Sequence, residues 1–160
     1  MNTVRALRAA SGVALMQYAA HAFLFLTARP KHGAEEIAVL ETMRSHAFDF
    51  SGCTRTYWTM YFGYGLMVIV AGIVEVVALW LIAGLAKSEP KRVIPLVYLF
   101  LFADLAHGAL AVTHFFKAPV VADLIVGVFL MWSLIAARSD ARSSTRPAVV
   151  ATQLKESGHA

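Results

Sequence analysis

One stretch limits this chain more than any other: Val93 to Phe116, VIPLVYLFLFADLAHGALAVTHFF. It is long and apolar enough to cross a bilayer as a helix. It nevertheless carries Asp104, His107 and His114. Ionisable groups are costly in hydrocarbon, so they turn towards protein and mark a site by default. Positions 104, 107, 111 and 114 fall on one face of a helix, so the three polar groups are expected to point the same way. Other helices should then supply groups that answer them.

The remainder of the chain has the same character. Of its 160 residues, 59% are hydrophobic and only 15% are charged, with mean hydropathy +0.64. A soluble domain is typically about 45–50% apolar and about 25% charged. The apolar excess lies in four runs, near 7–27, 58–84, 93–116 and 120–137, which predicts an all-α transmembrane four-helix bundle. The first run follows Arg5 and Arg8 and could be read as a signal peptide. Its length and its polar Gln17, Tyr18 and His21 favour a retained span. Residues 1–137 therefore read as one membrane domain, and 138–160 as a polar, basic, disordered tail. The formal charge of +4 sits at span ends, so it implies orientation in a membrane and no nucleic-acid partner. A lone Cys53 leaves no disulfide framework and no CxxC motif.

Between the first two spans lies a connection too long to be a plain loop. Glu35 to His46 reads as a short amphipathic helix lying on the membrane surface. A dense string follows: Met43-Arg44, Phe48-Asp49-Phe50, Gly52, Arg55, Tyr57-Trp58, Tyr61, then Gly63-Tyr64-Gly65. Trp58, Tyr61 and Tyr64 suit an interfacial aromatic belt. Thr54 or Thr56 can cap the next helix, and Arg55 can pair with Asp49 or with a lipid phosphate. Gly65 and Gly72 offer a small-residue face on which a homo-oligomer could form.

This string resembles the signature of a family of small four-span bacterial membrane proteins that has no assigned activity. Related sequences often carry an acid after the Trp, where this chain has Thr59, so any role of that acid is missing here. The resemblance implies the four-span topology and a bacterial inner-membrane location, and it assigns no chemistry. The four-span shape is also similar to that of DoxX-like proteins, an analogy at fold level that carries no site.

Four spans put both termini on one side. Nine Lys and Arg lie on that side and five on the other, so both termini are expected in the cytoplasm. At about 1.5 Å of rise per residue, His21 stands about 20 Å above Arg8, and Glu75 about 18 Å above Lys87. Asp104 and His107 stand about 18 and 22 Å above Arg92, and Asp123 about 22 Å above Arg138. Each helix thus brings an ionisable group to one level of a ~30 Å core.

Three readings of that layer stay open. It can be structural, with carboxylates and imidazoles pairing to hold the helices together. It can be a binding site for a lipid, quinone or small amphipathic molecule, formed by His21, Glu75, Asp104, His107 and Asp123, with Arg55, Trp58 and Tyr61 at its mouth. It can also be a haem or metal centre using His21, Asp104 and His107, since Asp104 and His107 have the i, i+3 spacing of helical-bundle metal sites. No nucleophile, base and orienting group stand out together, and HExxH, GxSxG and phosphate-loop motifs are missing.

Overall fold

The computed structural model describes residues 2–143. Five helices and one small hairpin follow in order: α1 Thr3–Thr27, α2 Ala34–Ser45, β1 Ala47–Phe50, β2 Cys53–Thr56, α3 Tyr57–Leu85, α4 Pro90–His114 and α5 Lys117–Ser143. Helices α1, α3, α4 and α5 are each long and apolar enough to cross a membrane. The protein is an all-α, four-helix transmembrane bundle. Two compact units are distinguished, and α1 and α3 each contribute to both.

The first unit comprises residues 2–15 and 75–143 of the described chain. Among the described residues it holds all the buried apolar side chains: Ala6, Leu7, Ala10 and Ala14 of α1; Leu79, Ile82 and Ala83 of α3; Ala86 just after it; Val93, Val97 and Ala111 of α4; Val126, Leu130, Leu134, Ala137 and Ala141 of α5. Spacings of three and four residues put the α1, α3 and α5 sets on one helical stripe each, and in α4 Val97, Asp104 and Ala111 follow at steps of seven. The alanines of α1 let backbones approach closely, which is how helices gain contact where lipid is as apolar as protein. Cross-helix polar ties lie among them. Ser11 Oγ donates to Val76 O at 2.9 Å, and Thr3 Oγ1 donates to Asp140 Oδ2 at 2.9 Å.

The Thr3 tie explains one departure from the sequence reading. The last helix continues beyond residue 137 to Ser143. Asp140 accepts from Thr3, Arg138 donates to the Tyr98 hydroxyl and lies over its ring, and Ala141 is buried. Those contacts make helix the better state for a segment whose composition looked disordered. The rest of the expected tail, 144–160, lies outside the described residues.

The second unit, Met16–Val74, contains the second half of α1, helix α2, the hairpin and the first half of α3. The hairpin replaces what reads in sequence as loop. β1 and β2 pair antiparallel, with Phe48 opposite Arg55 and Asp49 opposite Thr54. Ser51 and Gly52 form the turn with φ of 54° and 80°. Positive φ at both central residues is the type I′ geometry that matches strand twist. Asp49 Oδ1 accepts from the Gly52 N–H at 3.1 Å, and Arg55 Nη1 donates to Thr54 O at 2.9 Å. Of the two partners that the sequence offers Arg55, Asp49 is bonded to the turn instead, and Arg55 lies exposed on β2. Ser-Gly between two short runs containing Phe, Thr and Cys was the signal for this hairpin.

Thr56 starts α3, as one of the two expected caps. The Thr59 N–H donates to Thr56 Oγ1 at 3.1 Å while the Thr56 N–H donates to Thr59 Oγ1 at 3.0 Å, a reciprocal cap made with two threonines. Along the same half of α3, a Cβ at Gly65 would stand 2.0 Å from Phe25 Cζ, and one at Gly72 2.2 Å from Tyr18 Cγ. The glycine face that sequence offers to a second copy is therefore filled by rings of the same chain.

Candidate functional site

Helices α4 and α5 are joined through Phe115 and Phe116, so they run antiparallel in close contact. The short turn fixes their register, and two carboxylates end up facing two glycines. Asp104 of α4 meets Gly127 of α5, where an added Cβ would lie 2.9 Å from Asp104 Oδ2. Asp123 of α5 meets Gly108 of α4, whose added Cβ would lie 3.6 Å from Asp123 Oδ2. Gly127 leaves the space that the Asp104 carboxylate occupies, whereas at Gly108 a Cβ would make only ordinary contact with Asp123. Asp104 is 9% exposed and Asp123 6%.

His107 Nδ1 lies 3.1 and 3.0 Å from the two oxygens of Asp123. This contact ties α4 to α5 and becomes an ion pair when the imidazole is protonated. Glu75 of α3 and Asp123 both lie within electrostatic range of Asp104. Four of the five residues expected in the polar layer are thus assembled in the first unit. The face predicted for α4 is only partly kept: Asp104 is buried, His107 is half-exposed, and His114 is exposed and bonded to Thr113 Oγ1 at 2.6 Å.

The carboxylates form the floor of a groove of about 920 Å³ between α4 and α5. Its walls come from Leu105, Val112, Leu124, Val128, Met131 and Trp132, among others, and no Lys or Arg lines it. Leu105, Val112, Leu124 and Val128 are largely exposed, so on membrane-spanning helices the groove opens sideways to lipid. Among the described residues no hydrogen bond reaches the Asp104 carboxylate. The groove was not evident from sequence because it needs the register of two helices. The reciprocal pairs Asp104/Gly127 and Gly108/Asp123 about a short turn were the trace it left.

The remaining expected site residues belong to the second unit. His21 stacks on Phe25, with ring centroids 5.7 Å apart and planes at 7°, and its buried Nε2 has no hydrogen-bond partner. Phe25 in turn stacks on Phe62. Trp58 packs against Tyr61 and Phe62, and the Arg44 guanidinium lies 4.5 Å from the Trp58 ring centroid. Arg55 is exposed on β2. Among the described residues no group of three or more His, Cys, Asp or Glu side chains is placed to hold a metal ion.

Spans, register and a polar-floored lateral groove define a polytopic α-helical membrane protein. No protein-family model, curated protein or solved structure matches the chain.

Proposed function

We propose that this is a binding or accessory protein of the bacterial inner membrane, with both termini cytoplasmic, that holds a small amphipathic molecule such as a lipid or quinone. The observation that carries this reading is the α4–α5 groove: an apolar trough open to the bilayer, with Asp104 and Asp123 at its floor. An amphiphile matches both parts. Its apolar body replaces lipid along the walls, and its head meets polar groups that are otherwise costly to keep in hydrocarbon. The distribution of Lys and Arg, nine to five, supports the orientation. Resemblance of the Met43–Gly65 string to the four-span bacterial family supports the location.

A second reading rests on the His107–Asp123 contact: the polar groups hold α4 against α5 and bind nothing. Native mass spectrometry after gentle release from the protein's own membrane separates the two. The expected spectrum shows one retained amphiphile mass, absent from a Val128→Trp variant whose indole fills the groove. Bare protein in both samples would overturn the binding reading in favour of the structural one. A haem or metal mass would replace it with the cofactor reading.

A further inference from the structure

The groove reading leaves open which amphiphile fits, and the charges at its floor narrow the choice. Asp104 stands in electrostatic range of two further carboxylates, Asp123 and Glu75, and of the His107 imidazole. That imidazole is already engaged with Asp123 at 3.0 Å. No Lys or Arg lines the groove, and the Asp104 carboxylate, nine-tenths buried, faces into it without a hydrogen-bond donor among the described residues. Apart from the Trp132 indole N–H on the wall, a head group that only accepts hydrogen bonds meets no side-chain donor among the described groove residues while the acids are ionised. A head that carries positive charge and donates suits this floor, because a buried carboxylate stays ionised only with an opposite charge or a donor beside it.

We propose that the occupant is a lipophilic amine, its ammonium seated between Asp104 and Asp123 and its apolar body lying along Leu105, Val112, Leu124 and Val128. This rests on the groove being an amphiphile site, and it adds the class of head group. The volume, about 920 Å³, takes a long alkyl chain or a fused ring system of drug size. Entry is lateral. An amine that partitions into the bilayer reaches the floor without crossing an aqueous vestibule, and an inorganic cation gains nothing from the apolar walls. Gly127 matters to this site because a Cβ there would lie 2.9 Å from Asp104 Oδ2 and press on a carboxylate that the ammonium contacts.

The test compares two probes with the same chain: dodecylamine, charged at neutral pH, and dodecanol, neutral. Full-length protein in phosphatidylcholine nanodiscs is titrated with each radiolabelled probe, and partition into nanodiscs bearing the Val128→Trp variant is subtracted. The amine should bind at least about tenfold more tightly than the alcohol. Asp104→Asn should remove most of that difference while leaving alcohol binding within about twofold, since amide and carboxylate have nearly the same shape. Retention of alcohol binding shows at once that the variant has folded. Equal binding of both probes, lost together in Val128→Trp, would overturn the amine assignment and leave the amphiphile site standing. Binding of neither above the Val128→Trp background would overturn both. Preference for the amine that survives Asp104→Asn would move the charge recognition away from this floor and also overturn the assignment.

Discussion

The two units are made from the same α1 and α3, yet they are built in different ways. The first buries aliphatic side chains on regular stripes of four helices and inserts polar ties among them. In the second, Gly72 is the only buried position among the described residues, and contact is made by stacked rings: His21 on Phe25, Phe25 on Phe62, Trp58 on Phe62. One helix can serve both because its residues change along its length. α1 runs from Ala-rich at its start to His, Phe and Leu at its end, and α3 runs from Tyr and Trp to Leu, Ile and Ala. Small and aliphatic residues favour dense helix packing, whereas aromatics with polar edges suit the boundary of a membrane. Among the described residues burial is therefore concentrated in the unit that carries the groove, and the aromatic unit buries little.

That contrast can be broken by mutation. Leu130→Ala, in the first unit's core, should cost about 2–4 kcal/mol through the cavity it opens, and Leu24→Ala, 58% exposed in the second unit, about zero. Denaturant unfolding of each variant in the same micelle gives both values. Similar losses at the two positions would end the comparison. Gly72→Ala then asks whether the second unit has any tight point. The added Cβ would meet Tyr18 Cγ at 2.2 Å, next to the tyrosine's own backbone, so the ring cannot simply swing away. A loss of about 1–2 kcal/mol is expected by the same assay, as for overpacking generally. No loss would mean that the ring stack yields freely.

The smallest effect concerns the link before α2. Glu36 Oε2 accepts from the backbone N–H groups of His32 at 2.7 Å and Lys31 at 2.6 Å. Those two bonds, His32 first, hold its carboxyl below the usual glutamate value of 4.5. A depressed folded-state value means that the local stabilisation is complete above about pH 4.5 and is lost as pH falls through that lower value. Amide resonances of Lys31 and His32 should therefore shift together in acid, and Glu36→Gln should abolish the shift. An unchanged titration in Glu36→Gln would show that another group is responsible.

What sequence could reveal follows from the range of each interaction. The four spans were legible because hydropathy acts over some twenty residues at a time. Asp104, His107, Glu75 and Asp123 were legible because any ionisable group in such a run is conspicuous. The register that sets Asp104 against Gly127 depends on two helices meeting about a short turn, and neither helix states it alone. The hairpin at 47–56 was hidden for another reason: strands of four residues hardly alternate, so Ser51-Gly52 was the only strong cue. Continuation of α5 past residue 137 could not be seen in composition, since it depends on Thr3, far away along the chain.

That Thr3–Asp140 bond also sets an order of events in biogenesis. Its partners are 137 positions apart, so the first helix enters the membrane with a hydroxyl whose acceptor has not yet been made. Ser11 waits likewise, for the carbonyl of Val76. During synthesis the alanine stripe of α1 is therefore an unfinished surface, open to lipid or to an insertion factor. Its two polar ties close separately, that of Ser11 when α3 is threaded and that of Thr3 when α5 arrives. An interruption of translation before residue 140 would leave a helix that is inserted but still unclosed.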